Sequence, residues 1–214
     1  MKKLALWCPT YKRPHKLQPL VDNIEATTAT DFMLYFGCEP EDEAGIAAAK
    51  ATGYPVIVNQ YGMGYSNTIQ TIYESTDEPF FIHINDDFEF KPDWDVQPLA
   101  MFEAPHIMVV GVREQENTTF SAVCMGRRSY IEEMSGVIDM PNRVFYTYGH
   151  NYIDTEFTET AKHRGVWTYC DAPCIQHLHP GIVGGNKDET YRKNDASAAA
   201  DERTYLSRKH LWGS

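Results

Sequence analysis

Short apolar runs, each stopped by a turn residue, constrain this chain more than any other feature. Leu4-Ala5-Leu6-Trp7-Cys8 halts at Pro9-Thr10, and Phe32-Met33-Leu34-Tyr35-Phe36 halts at Gly37. Pro55-Val56-Ile57-Val58 follows, and Phe80-Phe81-Ile82-His83-Ile84 breaks into Asn85-Asp86-Asp87. Runs of this length bounded by breakers predict buried strands. Between them, Leu17, Leu20, Val21 and Ile24 recur at the three- and four-residue spacing of an amphipathic helix. The Ala-rich segment from Glu41 to Thr52 is closed by Gly53, and Ser66 is placed to cap a helix carrying Ile69, Ile72 and Tyr73. Alternation of this kind predicts an α/β domain with a mostly parallel central sheet flanked by helices. Further on, Ile107-Met108-Val109-Val110 and Phe120-Ser121-Ala122-Val123-Cys124 predict two strands joined by too few residues for a crossover helix, so the sheet is mixed. Ile153 to His163 predicts another helix, stopped at Gly165. From Gly184 the chain is polar, with an Ala-rich stretch at Ala196 to Ala200, which reads as an extension of one domain.

Composition narrows the class. No apolar run in the 214 residues approaches the roughly 20 needed to cross a bilayer. Met1-Lys2-Lys3 mimics the start of a signal peptide, but the apolar stretch behind it ends at Cys8, so the expectation is a soluble, cytoplasmic chain. The five cysteines are odd in number and scattered, which suits free thiols in a reducing compartment. Thirty acidic against 19 basic side chains give a net charge of −11, which argues against broad nucleic-acid binding. It leaves room for a local basic patch.

Three constellations carry chemistry. Asn85-Asp86-Asp87 follows a strand, where ligands bind in open α/β sheets, and hard divalent cations take carboxylate oxygens. A turn that caps the strand accounts for the triplet equally well. Asp154 and Glu156 fall at a helix start, where the dipole favours acids; Asp154 is also a candidate general base. His177 and His179 would face one side of a strand, a spacing suited to a metal. Cys170 and Cys174 just upstream raise the alternative of a structural zinc site, which the crowding of all four groups disfavours.

In order and spacing these features resemble the metal-dependent glycosyltransferases of the GT-A fold, particularly the inverting family 2 enzymes and their small phage-type members. Cys8-Pro9-Thr10-Tyr11-Lys12-Arg13-Pro14 resembles the first-strand PTYNR loop that meets the nucleotide. Glu39 stands after the second strand, where these enzymes place an acid against the base. Asn59 to Asn67, with Gly62 and Gly64, is similar to the glycine-bearing segment of the donor pocket. Ile84-Asn85-Asp86-Asp87 stands in for the LDDD run containing the DxD motif, with Asn85 replacing the first acid. Gly126-Arg127-Arg128 resembles the segment before the acceptor-side helix, Ile153-Asp154-Thr155-Glu156-Phe157 the EDTEL element, and His177 the late metal histidine, with His179 its competitor.

The resemblance, from Leu4 to Pro180, implies a Rossmann-like GT-A catalytic domain over residues 1–183 and a C-terminal extension, 184–214, packing on or near the active site. It implies transfer of a hexosyl or pentosyl group from a nucleoside-diphosphate sugar, UDP favoured, to an acceptor hydroxyl. Asp154 would be the base, and Asp87, His177 and His179 the ligands of Mn or Mg. Pro9, Thr10, Arg13, Glu39, Asn59, Gly64, Asn67, Asn85 and Asp86 would meet the donor, with Lys12 and Arg127 as further candidate diphosphate or acceptor contacts. The implied acceptor is a glycan or polysaccharide. The alternative is a hydroxylated base in phage DNA, modified in the host cytoplasm, with Arg192, Lys193, Arg203, Arg208 and Lys209 as its basic face. Two other readings compete: a nucleotidyltransferase on a similar sheet, and an inactive sugar-binding domain in which Asn85 marks lost metal chemistry.

Overall fold

Strand β1 (Leu4–Thr10) is buried on both faces, and its alternating side chains feed two separate cores. Leu4, Leu6 and Cys8 pack with Leu17, Leu20 and Ile24 of helix α1 (Pro14–Thr27). Ala5 and Trp7 pack with Ile69 and Ile72 of α3 (Tyr65–Glu74) and with Phe157 of α6 (Ile153–His163). Trp7 stacks flat on Phe81, ring centroids 4.3 Å apart. The computed structural model describes residues 3–114, 123–180 and 187–212. The expected strand at Phe120 to Cys124 lies partly outside those residues, and the expected boundary at Gly184 lies wholly outside them.

The remaining elements are β2 (Phe32–Cys38), α2 (Glu43–Ala51), β3 (Val56–Val58), β4 (Phe80–His83), β5 (Phe88–Phe90), α4 (Val96–Met101), β6 (Val109–Glu114), β7 (Val123–Arg127), α5 (Arg128–Met134), β8 (Trp167–His177) and α7 (Glu189–Arg208), with a 3-10 turn at Lys209–Trp212. The strands form one sheet in the order β3-β2-β1-β4-β7-β6-β8-β5. β1 to β4 are mutually parallel; β7 runs against β4 and β6, β8 runs with β6, and β5 against β8. The fold is the mixed, Rossmann-like α/β sheet expected from the sequence.

Register positions the loops. Thr10 pairs with Cys38, and Trp7 with His83, so β1, β2 and β4 release their carboxyl ends along one edge. Gly37 lets α3 lie against β2, because a Cβ there would fall 2.4 Å from Thr68 Cγ2. The helix start differs from expectation. Gly64, not Ser66, precedes the first turn, with φ 135° and ψ 152° that an L side chain rarely adopts, and Ser66 Oγ instead donates to the Tyr146 carbonyl. The two histidines do not share a strand face, because β8 stops at His177 and His179 lies beyond its end; their rings are 5.5 Å apart.

The polar extension is a 20-residue helix, α7, capped by Asp188 accepting from the Tyr191 amide. Among the described residues no helix is long and apolar enough to cross a membrane. All five cysteines are free and buried.

Candidate active site

Asp86 and Asp87 leave β4 through a tight turn with both side chains nearly inaccessible. Thr10 Oγ1 donates to Asp86 Oδ2 at 2.9 Å, and Arg13 Nη1 donates to Asp86 Oδ1 at 2.9 Å while lying 3.8 Å from Asp87 Oδ2. Arg13 also forks onto Asp188, Nε and Nη2 donating at 2.8 and 3.0 Å, and its guanidinium stacks 4.2 Å above the Tyr191 ring. Tyr191 donates its hydroxyl to Asp87 Oδ2, and Lys16 Nζ lies 4.0 Å from the same oxygen.

His177 completes the group from across the sheet. β5 pairs Phe88 with His177, which sets the histidine beside the acid turn: Nε2 is 3.3 Å from Asp87 Oδ1 and Nδ1 is 3.2 Å from Glu114 Oε2. Burial opposes a charge on His177, but Asp87 and Glu114 override it and push the imidazole up to about 9. Burial likewise opposes ionisation of Asp87, yet His177 and Tyr191 hold it below the usual carboxylate range. Asp86 is raised, because burial outweighs Arg13.

The donor set fits a hard divalent cation. Asp87 Oδ1 is buried, faces His177 Nε2, and meets no partner in good hydrogen-bond geometry among the described residues. No three His, Cys, Asp or Glu side chains are grouped to hold a metal among the described residues. Mg and Mn do not require such a cage: one or two protein ligands suffice when substrate phosphates and water supply the rest. The same finding leaves Cys170, Cys174, His177 and His179 without a zinc arrangement.

On the far side, Glu39 is gripped by its own neighbourhood. Asn59 Nδ2 donates to Oε2 at 3.0 Å, while the Gly64 amide and Thr68 Oγ1 donate to Oε1 at 2.9 and 3.0 Å. Glu39, Gly64 and Thr68, with Pro9, Thr10, Arg13, Asn85, Asp86, Asp87, His177 and His179, line a cavity of about 430 Å³, within the range of small-ligand sites. Asn59 and Asn67 do not line it; Asn59 reaches it through Glu39, and Asn67 binds the Gly62 carbonyl and Arg143. Arg127 is also elsewhere, its guanidinium donating to the carbonyls of Ile107 and Phe102. Lys12 pairs with Glu189 at the exposed rim.

Asp154 lies in the first turn of α6, just past the cavity wall formed by Tyr148 to Asn151, and is not itself part of that wall. Asp154 is half-buried, and desolvation by the protein around it pushes the carboxyl up to about 6. Glu156, its helix neighbour, is structural: it accepts from Tyr148 and from both Nε and Nη2 of Arg208.

Four residues that hold the candidate site together were not singled out from the sequence: Asp188, Tyr191, Asp201 and Glu114. Asp201 of α7 accepts the consecutive amides of Gly149, His150 and Asn151 at 2.7, 2.9 and 2.9 Å and so pins the wall. The Ala-rich stretch at Ala196 to Ala200 is the sequence signal for α7, and Asp188, which caps the helix, is a residue type that marks such a start.

No protein-family model matches the sequence, and no curated protein matches it. Solved structures match over nearly the whole chain. Glucosyl-3-phosphoglycerate synthase from Mycobacterium tuberculosis, in complex with Mn2+, UDP and glucosyl-3-phosphoglycerate, superposes with a TM-score of 0.72 over 97% of this chain and 80% of its own, at 10% identity. The same enzyme with Mg2+ and UDP gives 0.68, over 97% and 79%, at 11% identity. A mannosyltransferase from Pyrobaculum calidifontis in complex with GDP-Man and Mn2+ gives 0.65 over 85% of this chain and 58% of its own, at 10% identity. The chain therefore has the GT-A fold of these glycosyltransferases.

Proposed function

We propose that the chain is a metal-dependent, inverting glycosyltransferase that moves a sugar from a nucleoside diphosphate, UDP for preference, to an acceptor hydroxyl. The observation that carries this reading is the joint of Asp86, Asp87 and His177, delivered by two strands to the edge where the nucleotide loops of β1 and β2 also end. The structural neighbours were solved with Mn2+ or Mg2+ and with UDP or GDP-Man, which supports the same assignment. Asp87 and His177 would hold the cation, with His179 beside them; when bound, it supplies positive charge to a departing diphosphate.

The protein's own groups divide the remaining work. Glu39, fixed by three donors, presents a carboxylate to the base at the end of β2. Arg13 and Lys16 supply permanent positive charge on the diphosphate side. Asp154 takes the proton of the attacking hydroxyl, and a carboxyl raised to about 6 is a stronger base at neutral pH than an ordinary aspartate while still ionised. Helix α7, beyond a catalytic domain ending near residue 183, is read as the wall that closes the site through Asp188 and Tyr191.

A glycan or other small hydroxylated acceptor suits this surface better than duplex DNA. Net charge is −11, and Arg208 of the tail is engaged by Glu156 and Asp139. A screen of UDP- and GDP-sugars for release of nucleoside diphosphate tests the proposal: release dependent on Mn2+ and abolished by EDTA is expected. Release unaffected by EDTA, or products bearing a nucleotidyl group, would overturn it.

A further inference from the structure

We propose that Tyr65 hydrogen-bonds an oxygen of the transferred sugar and that His83 is the positioning residue that turns the Tyr65 hydroxyl toward it; this rests on the glycosyltransferase reading above. Tyr65 opens α3 and lines the cavity, half-buried, its ring set edge-on against His83 and His150 at 6.4 and 6.1 Å. Its hydroxyl oxygen lies 3.1 Å from His83 Nδ1.

Which of the two donates follows from the other face of the imidazole. The Cys124 backbone amide points at His83 Nε2, 3.4 Å away, so Nε2 is an acceptor and carries no hydrogen. His83 is 4% exposed, and burial pushes it down to about 3, so the ring is neutral and its single hydrogen sits on Nδ1. Nδ1–H therefore donates to the Tyr65 oxygen. The phenolic hydrogen is left without an acceptor among the described residues, on a group whose burial keeps it protonated.

The place of this hydrogen gives its purpose. Tyr65 shares the cavity wall with Asp86 and Asp87 and lies near enough to feel their charges and that of Asp154. A sugar being transferred must come within reach of both the diphosphate end of the site and the proposed base, and sugars offer hydroxyl and ring oxygens as acceptors. Packing alone does not call for the pair. Phenylalanine would fill the same ring contacts, and an apolar residue at the end of β4 would avoid burying an imidazole.

Titration calorimetry with Mn2+, comparing UDP-glucose with UDP and GDP-mannose with GDP, tests the assignment. The unaltered protein is expected to gain affinity from the sugar, and Tyr65→Phe to lose about tenfold on the sugar nucleotide and nothing on the free diphosphate. Equal loss on both, or loss on neither, overturns the role of Tyr65 and leaves the glycosyltransferase reading standing. Failure of the unaltered protein to bind any of the four overturns both. Nitrogen NMR of the unaltered protein adds a readout that needs no variant to fold: hydrogen on Nδ1 of His83 is expected, and hydrogen on Nε2 overturns the positioning argument.

Discussion

The parallel and antiparallel sides of the sheet hold their functional groups by different means. On the parallel side, β1, β2 and β4 hand Thr10, Glu39, Asp86 and Asp87 to the cavity directly from their ends, within a few residues of each strand. On the antiparallel side, His177 depends on its pairing with Phe88, and the wall at Gly149 to Asn151 depends on Asp201, some fifty residues on. One side is placed by local sequence; the other is placed by distant partners. Each should respond differently to single substitutions.

The largest effect is expected at Asp154. Asp154→Asn should lower turnover by about 10²–10⁴-fold while leaving nucleotide binding intact, which separates an acceptor-side loss from a donor-side one. In the unaltered protein, turnover should fall along an acid limb centred near 6, as the carboxyl protonates. Stability runs the opposite way. Because this carboxyl is raised in the folded state, its stabilising contribution is complete below about 4 and is lost as pH rises through about 6. Denaturant titrations should show that slope, and Asp154→Asn should flatten it.

On the parallel side, Arg13→Ala removes the partner of a buried acid and should cost about 3–5 kcal/mol in urea unfolding. On the antiparallel side, Asp201→Ala strands three backbone amides at the wall and should cost about 1–3 kcal/mol. Its signature differs: amide exchange should quicken in α7 and at residues 149–151 before it quickens in β1. A uniform rise across the sheet would break the comparison, by showing that both sides open together. Smallest of all, Lys12→Ala breaks an exposed pair with Glu189 and a surface contact with the Tyr11 ring, and should leave the melting temperature nearly unchanged.

The same division explains what could be read from the chain alone. β1, β2 and β4 announce themselves as apolar runs ending in Pro, Gly or acid, and Glu39, Asp86 and Asp87 follow from their ends. His83 hides in such a run, because nothing in Phe-Phe-Ile-His-Ile shows that its side chain turns to meet the Cys124 amide and Tyr65. β5 is three residues long and gives no periodicity to detect, so the pairing that brings His177 to Asp87 was invisible. Tyr191 and Asp188 look like ordinary polar helix residues; their meaning lies in Arg13, 175 residues away from Asp188. Gly64 was legible as a glycine of a donor-pocket segment, but its left-handed turn, which moves the cap away from Ser66, was not.

The closing helix also bears on how the molecule is made. Synthesis presents the chain from its N-terminus, so every strand of the sheet can emerge before α7 does. Until Asp188 and Tyr191 arrive, Arg13 and Asp87 lack those two partners, and until Asp201 arrives the amides of Gly149, His150 and Asn151 lack the carboxylate that accepts them. A chain synthesised only as far as β8 thus carries every strand of the sheet but lacks the groups of α7 that complete the pocket. Helix α7 is a structural clasp that the chain supplies only after every strand of the sheet.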